Sequence, residues 1–221
     1  MIPNPRHPAK AMTRTQKTVF IVAALVALIL GLIVSRLLPD DGPASQAALN
    51  DAGIVLLPKS RQLPALSMID QNGAAMPLDG LKDMWTLMFF GYTFCPDICP
   101  TTLAQIKQIR SELPEATVKR MRVVLVSVDP ARDTPQQLKQ YLGYFDTHYV
   151  GLTGPVADIQ KLANSVSIPF IPADTSKPNY FVDHSGNLAL IGPDGTQRGF
   201  IRAPLNTRKL VKQLPGLLEK D

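Results

Sequence analysis

The longest apolar run of the chain lies near its N-terminus, between Lys17 and Arg36. These two residues enclose 18 residues without a charge, TVFIVAALVALILGLIVS. In helical form they would extend about 27 Å, which nearly matches the hydrocarbon core of a bilayer. A cleaved signal peptide is the alternative, but its apolar stretch is typically shorter, at about 7–15 residues. The run therefore predicts a retained transmembrane anchor over residues 18–38.

Two further stretches are mostly apolar and have the length of buried strands. They are Trp85–Gly91 and Met121–Val128, and the second is rich in β-branched residues. Between them, residues 101–113 carry apolar side chains at the three-to-four spacing of one helical face. A strand, a helix and a strand in this order form the right-handed crossover unit of a parallel sheet.

The remaining pattern extends this arrangement to the C-terminus. Caps and periodicity predict helices at 135–145, 155–166 and 206–214, and short apolar segments predict strands at 149–152, 180–184, 187–191 and 197–201. Ser185 and Gly186 form a two-residue hairpin signal between two of these strands, which places His184 at a hairpin tip. Together the elements indicate an α/β fold with a central mixed sheet flanked by helices.

Composition divides the chain into an anchor, a tether and one domain. Residues 39–62 are rich in Ala, Pro and Asp and predict a flexible linker. The residues after it, 63–221, suffice for one good core, and no internal repeat points to a second domain. With only two cysteines, a scaffold held by several disulfides is excluded.

The formal net charge of +5 comes from the N-terminus. Residues 1–36 contain five basic residues and no acidic one, and residues 37–221 contain 18 of each sign. The basic balance therefore gives no support for a nucleic-acid-binding surface. Four basic residues precede the apolar run and one follows it, so residues 1–17 are predicted to be cytoplasmic and the domain to lie outside. In a bacterium this means a single-pass inner-membrane protein with a periplasmic domain.

Both cysteines of the chain lie in the stretch GYTFCPDICP, where the first predicted core strand passes into its helix. The free N–H groups and the positive dipole at a helix N-terminus favour the thiolate form. Cys95 and Cys99 are therefore predicted to be redox-active thiols in a thioredoxin-like domain. Three residues separate them, where thioredoxin-type enzymes have two, so both sulfurs can face one point and either close a disulfide or bind a soft metal.

A third ligand for such a metal would come from one of three histidines. His7 precedes the membrane segment and is on the wrong side of the bilayer. His148 lies near a helix end, where capping or a solvated surface position explains it. His184 is at a loop tip of the kind that lines sites in α/β sheets, but its position alone favours an ordinary hairpin residue. Copper(I) accepts two or three soft ligands, whereas zinc usually requires a fourth.

The sequence does not decide the roles of two further groups of residues. Asp129, Arg132 and Asp133 of the DPARDTP loop either border the site or shape a turn and cap the next helix. Tyr92 and Phe94 flank the thiols in the chain, where they either shield a metal, meet a partner or pack in the core.

Three motifs, GYTFCPDICPTTL, VSVDPARDTPQQL and YFVDHSGNLALIGPDG, follow one another behind the predicted anchor. In this combination the chain resembles the Sco/SenC family of copper-delivery proteins for cytochrome c oxidase, from about residue 63 to the last helix. The resemblance implies a thioredoxin fold that binds one copper ion, Cu(I) or Cu(II), through Cys95, Cys99 and His184. It also implies delivery of that copper to the binuclear copper centre of cytochrome c oxidase subunit II.

The expected function is therefore that of a membrane-anchored periplasmic copper chaperone, without turnover of a small molecule. The alternative is a periplasmic thiol–disulfide oxidoreductase that reduces the cysteines of subunit II through Cys95 and Cys99. A disulfide between these two residues would not bind copper well, so the expected partners include other periplasmic copper chaperones or thiol reductases. A peroxide-removing thiol enzyme or a redox sensor is a third alternative, but it leaves His184 without a role. The conformation of the loop at 169–180 stays open.

Overall fold

The computed structural model describes residues 14–37, 45–177 and 179–219, with the backbone alone for 32–37. These residues belong to two compact units, the N-terminal helix and the remainder of the chain. Residues 1–13 of the predicted cytoplasmic segment, with His7, lie outside the described residues, as does the part of the predicted linker before residue 45.

The N-terminal helix, α1 (Arg14–Leu37), contains most of the predicted membrane segment. All of its described side chains are exposed, including Phe20, Leu25 and Ile29. Its window Arg14–Gly31 is long and apolar enough to cross a membrane.

The second unit is built on one sheet, which has eight strands in the described part of the chain. The strands are β1 (Ile54–Gln62), β2 (Ser67–Asp70), β3 (Ala75–Pro77), β4 (Trp85–Gly91), β5 (Met121–Ser127), β6 (Val150–Thr153), β7 (Leu188–Ile191) and β8 (Thr196–Ile201). The helices are α2 (Gln46–Asp51), α3 (Ile98–Glu112), α4 (Glu115–Lys119), α5 (Pro135–Gly143), α6 (Val156–Ser165) and α7 (Thr207–Leu218). A short 3-10 helix, Leu78–Leu81, precedes β4.

The strand order is β1-β8-β7-β4-β5-β6-β2-β3, with parallel pairing at β4–β5 and β5–β6 and antiparallel pairing elsewhere. The sheet is therefore mixed, as the sequence predicts. Its central strands β4 and β5 pair residue by residue, from Trp85 opposite Met121 to Gly91 opposite Ser127. All seven residues of β4 are buried, which explains why this strand is apolar on both faces and does not alternate.

The helices predicted in the second half of the chain are present, and side-chain caps explain where two of them begin. Thr134 Oγ1 accepts a hydrogen bond from Gln137 N at the start of α5, and Pro135 lies in the first turn. Asn206 caps α7 in the same way. These caps satisfy N–H groups that have no partner inside the helix.

The segment predicted as a flexible linker contains regular structure from residue 46 onwards. It forms α2 and β1, and β1 pairs antiparallel with β8, where Ile54 lies opposite Ile201. Leu49, Ala52 and Ile54 are each no more than 2% exposed. The linker prediction is therefore wrong for 46–62. The prediction used the average composition of the segment, which is rich in Ala, Pro and Asp, and so missed the three apolar residues that pack in the core.

The strand predicted at 180–184 is absent, and so is its hairpin with β7. Ile171 and Asp183 form a single antiparallel bridge, in which Ile171 N donates to the Asp183 carbonyl oxygen at 3.0 Å. Both edges of β7 are occupied, by β4 on one side and β8 on the other, so no edge remains for a further strand. The hairpin of β7 is formed with β8 instead. His184 thus lies on an irregular segment that precedes β7.

Candidate metal centre

Cys95 and Cys99 lie at the carboxyl end of β4, in the turn that leads into α3. Since β4 ends at Gly91 and α3 begins at Ile98, Cys99 is in the first helical turn. Cys99 N donates to Cys95 Sγ at 3.4 Å, and Tyr92 N donates to Cys99 Sγ at 3.4 Å. Both thiols are reduced and buried. Backbone donors directed at the sulfurs stabilise negative charge there.

His184 completes the group of three residues that the family resemblance implies. Its Nε2 atom lies 3.3 Å from Cys99 Sγ. One ligand atom from each of the three residues lies within 4.8 Å of the other two, with both cysteines buried and the histidine half-buried. Among the described residues, this is the one group of three or more His, Cys, Asp or Glu that could hold a metal ion.

The ring of His184 is oriented so that its Nε2 atom faces the thiols. Its Nδ1 atom lies 3.3 Å from the carbonyl oxygen of Ser185, which can only accept a hydrogen bond. In the tautomer that donates from Nδ1 to this oxygen, Nε2 keeps a lone pair for a metal ion. Phe89 and Tyr92 pack edge-on against the ring, with centroids at 6.0 and 5.5 Å. Metal-binding imidazoles are commonly held in this way, through a hydrogen bond from the other nitrogen.

The two thiols have opposite acidities. A hydrogen bond from the Cys99 thiol, together with the backbone N–H groups of Cys99 and Asp97, lowers the pKa of Cys95 to about 4. Burial raises the pKa of Cys99, and its hydrogen bond to Cys95 adds to this effect. Near neutral pH the two thiols therefore hold about one proton between them and titrate as a coupled pair. Such a pair can bind a metal cation or attack a disulfide.

Gly91 leaves the space that the Cys99 sulfur occupies. A Cβ atom at this position would lie 2.7 Å from Cys99 Sγ and 2.9 Å from Phe89 Cε1. Ordinary contacts between such atoms are about 3.5–4.0 Å. The missing side chain at the end of β4 is therefore a requirement of the site, and the sequence analysis did not identify it.

Asp133 of the DPARDTP loop supports the turn that carries the cysteines. It is fully buried and accepts hydrogen bonds from Thr93 N at 3.1 Å, Thr93 Oγ1 at 2.6 Å and Ser127 Oγ at 2.6 Å. Burial raises the pKa of Asp133, although these hydrogen bonds oppose the change. The carboxylate thus ties the residues that follow β4 to the end of β5.

Asp129 and Arg132 of the same loop contact the segment that carries His184. They form an ion pair with each other. Arg132 Nη2 donates to the Tyr180 carbonyl oxygen at 3.1 Å, and the Tyr180 hydroxyl donates to Asp129 Oδ1 at 2.8 Å. These residues therefore support the segment that carries His184, and the loop also forms the turn that the sequence offered as its other role, since Arg132 N and Asp133 N both donate to the Asp129 carbonyl oxygen. Tyr180 was missed, because its pattern indicated only a strand position.

Three other residues considered in the sequence analysis have different environments. Tyr92 is buried, and its hydroxyl accepts a hydrogen bond from Val182 N at 3.3 Å. Phe94 is 51% exposed. The His148 side chain is 83% exposed, and its Nδ1 atom lies 2.8 Å from Asp146 Oδ1. Tyr92 therefore supports the segment before His184, and His148 is a surface residue outside the group of three. Phe94 is partly exposed, with the Arg132 guanidinium 4.9 Å from the centre of its ring.

Relatives with known sequences are similar to this chain over most of its length. The profile of the SCO1/SenC family matches residues 58–219. A protein of Stutzerimonas stutzeri, named provisionally as copper-binding, is 45% identical over 184 residues, which are 83% of this chain and 90% of the relative. An SCO2-like protein of Rickettsia felis is 34% identical over 151 residues, which are 67% of this chain and 73% of the relative.

Two solved structures with bound copper have a similar fold. ScoI of Bradyrhizobium japonicum is 34% identical with a TM-score of 0.60, over 72% of this chain and 98% of that chain. ScoI of Arabidopsis thaliana is 29% identical with a TM-score of 0.62, over 71% of this chain and 96% of that chain. The predicted thioredoxin-like fold is thereby confirmed. Because the family profile covers most of its length, the chain belongs to the SCO1/SenC family.

Proposed function

We propose that this protein is a membrane-anchored copper chaperone of the periplasm. It binds one copper ion through Cys95, Cys99 and His184 and delivers it to the binuclear copper centre of cytochrome c oxidase subunit II. The observation that carries this proposal is the convergence of two sulfurs and one imidazole nitrogen within 4.8 Å. Copper is the cargo, and the work of the protein is to bind, protect and release it.

The donor atoms suit copper better than zinc. Two thiolates and one imidazole are soft and borderline ligands, which Cu(I) accepts at low coordination number. A structural zinc site would contain a fourth protein ligand, and no fourth His, Cys, Asp or Glu joins the three within the described ranges. The copper-bound ScoI relatives support the same cargo for this chain.

Burial and acidity prepare the thiols for the metal. Cys99 is 0% exposed and Cys95 is 9% exposed, so the bound ion would be largely shielded from water on the sulfur side. Because the coupled pair of thiols holds about one proton near neutral pH, one proton must leave when both sulfurs bind. His184 is the most exposed of the three residues, so we expect the ligands of the recipient to reach the copper from its side.

The proposed location follows from the N-terminal segment. The helix α1 has the length and composition of a membrane span. Four basic residues precede its apolar part and one follows, which favours a cytoplasmic N-terminus and a domain on the opposite side. Anchoring in the same membrane would hold the copper-binding domain near an oxidase partner.

The same thiols support a second candidate function, the reduction of a disulfide in subunit II. The lowered pKa of Cys95, to about 4, is the observation that favours it. The Cys95 thiolate would attack one sulfur of the partner disulfide and release the other as a thiolate. Cys99 would then pass its proton to that thiolate and attack Cys95 Sγ. This step releases the second partner sulfur as a thiolate, which takes a proton from water, and leaves a Cys95–Cys99 disulfide. Two electrons pass to the partner, and His184 forms no bond to sulfur in these steps.

Copper binding by the full chain in detergent, reduced and kept free of oxygen, tests the proposal. Wild-type protein is expected to bind about one copper ion per chain, and Cys95→Ser, Cys99→Ser and His184→Ala to bind at least about tenfold more weakly. His148→Ala is the matched control, because its exposed ring contacts Asp146 and not the thiols. Unchanged copper affinity in His184→Ala would contradict the proposal.

Oxidase assembly in cells separates the two candidate functions. Cells that lack their own copy of the protein receive the Cys95→Ser or the His184→Ala chain, and assembled oxidase is then measured. Failure of both variants is the result expected for a copper chaperone. Full assembly with His184→Ala, together with failure of Cys95→Ser, would favour the reductase.

A further inference from the structure

His184 lies on a segment with little regular structure of its own. In the described residues between α6 and β7, the one strand-like pairing is the single β-bridge between Ile171 and Asp183. A loop of this kind fixes a metal ligand only when supporting side chains hold it. The contacts that keep the imidazole 3.3 Å from Cys99 Sγ must therefore come from side chains.

Asp129, Arg132 and Tyr180, here called the Arg132 cluster, join this segment to the loop after β5. Arg132 donates through Nε to Asp129 and through Nη2 to the Tyr180 carbonyl oxygen, 48 residues further along the chain. Its guanidinium also lies 3.7 Å from the centre of the Tyr180 ring. The Tyr180 hydroxyl closes the cluster at Asp129 Oδ1, at 2.8 Å. One arginine thus makes three different contacts across two distant segments.

The cluster extends to the histidine through Tyr92. The Arg132 guanidinium lies 5.6 Å from the centre of the Tyr92 ring. The Tyr92 hydroxyl accepts a hydrogen bond from Val182 N, two residues before His184, and its ring packs edge-on against the imidazole at 5.5 Å. Arg132 therefore contacts both the start of the segment, at Tyr180, and the ring on which the imidazole rests.

These contacts depend on the shape of the arginine side chain. The Asp129 side chain is 2% exposed and the Arg132 side chain 23% exposed, so the carboxylate needs its partner. Lysine would keep the charge, but it lacks the planar fork that donates in two directions and stacks on a ring. The turn of the loop does not require this side chain, because Arg132 N and Asp133 N both donate to the Asp129 carbonyl oxygen.

We propose that Arg132 is a positioning residue for His184, and that it acts through Asp129, Tyr180 and Tyr92 to hold the imidazole against the thiols. This inference rests on the proposed function, since it assigns a cause to the geometry of the copper site. It predicts that copper affinity and histidine coordination depend on the shape of the residue 132 side chain and not on its charge alone.

Arg132→Lys in the full chain, in detergent, tests the inference. Copper affinity is expected to fall about 10–100-fold, the range for residues that orient a metal ligand. Arg110→Lys is the matched control, because Arg110 also lies over a tyrosine ring, that of Tyr149 at 5.8 Å, and pairs with Asp146 at 3.5 Å. Arg110 is near the C-terminal end of α3, opposite the end that carries Cys99, so its variant should bind copper as wild type does.

A double-mutant cycle with His184→Ala distinguishes positioning from general destabilisation. If Arg132 acts through the imidazole, the double variant binds copper no more weakly than His184→Ala alone. The electron paramagnetic resonance spectrum of the Cu(II) form should also lose its histidine nitrogen coupling in Arg132→Lys. Additive losses in the cycle, or wild-type affinity and nitrogen coupling in Arg132→Lys, would overturn the inference.

A measurement on the copper-free protein keeps this inference separate from the proposed function. Nuclear Overhauser contacts between the His184 and Tyr92 rings are expected in wild type and in Arg110→Lys, and they should be lost in Arg132→Lys. Failure of the wild-type chain to bind copper refutes the proposed function, whereas persistence of these ring contacts in Arg132→Lys refutes the positioning role. If Arg132→Lys does not fold, Tyr180→Phe, which removes the hydroxyl bond to Asp129, replaces it with a smaller expected loss.

Discussion

Replacement of Gly91 by alanine places a methyl group directly against the metal-binding sulfur. Gly91 is the last residue of β4. A Cβ atom there would lie 2.7 Å from Cys99 Sγ, 2.9 Å from Phe89 Cε1 and 3.2 Å from Leu125 Cδ1. Because the Phe89 and Leu125 side chains belong to the packed core, the added atom has no free space to enter.

The size of the effect follows from these distances. The sulfur must move by about 1 Å to restore an ordinary contact of about 3.5–4.0 Å. Ligand distances in a metal site are held to within about 0.2 Å, so a shift of this size breaks the three-ligand arrangement. Overpacking a buried position costs about 1–3 kcal/mol. For a domain of this size each kcal/mol lowers the Tm by about 2–4 °C, which predicts a Tm about 2–12 °C below that of wild type.

Thermal unfolding of the copper-free chain, combined with competition for Cu(I) against a chromogenic chelator, measures both consequences. Gly91→Ala is expected to melt earlier and to bind copper at least about tenfold more weakly. Gly143→Ala is the control, because a Cβ atom there would meet nothing within 4 Å and alanine favours the helix α5. Wild-type copper affinity in Gly91→Ala would refute the argument that the sulfur needs this space.

The thiols and their supporting loop provide three further predictions. Thiolate absorbance in the ultraviolet should titrate near pH 4 in wild type and not in Cys95→Ser. Because an unfolded thiol ionises near pH 8.5, the free energy of unfolding of the reduced protein should rise with pH between about 4 and 8.5. A flat profile would contradict this prediction. Loading with Cu(I) at pH 7 should release about one proton from the pair of thiols, measured by calorimetry in buffers of different ionisation enthalpy. Release of two protons would show that both thiols were protonated. Asp133→Asn should lower the free energy of unfolding by about 1–3 kcal/mol, measured by the fluorescence of the buried Trp85 during unfolding. An unchanged stability would contradict the role of the Asp133 hydrogen bonds.

The central strands could be predicted because their signal is local. β4 coincides with the predicted Trp85–Gly91, and an apolar run of this length indicates burial on both faces. The segment at 180–184 shows the limit of such patterns. Its burial does alternate, with Phe181 67% exposed and Val182 4% exposed, yet it is no strand. Membership of a sheet depends on which edges are free, and the edges of β7 are taken by residues distant in sequence.

The residues of the site also differ in how well the sequence alone predicts them. Cys95 and Cys99 could be paired from sequence because one turn carries both, whereas position alone did not decide His184, which is 85 residues from Cys99. Gly91 and Tyr180 were not identified at all. Their roles depend on single contacts with atoms elsewhere, Cys99 Sγ for Gly91 and an Asp129 oxygen 51 residues away for Tyr180.

X-ray absorption at the copper edge, on the full chain loaded with one equivalent of Cu(I), tests the central claim most directly. The account predicts two sulfur ligands and one imidazole nitrogen in wild type and in His148→Ala, and loss of the nitrogen in His184→Ala. A wild-type spectrum with sulfur ligands alone, unchanged by His184→Ala, would contradict the site of two thiolates and one histidine.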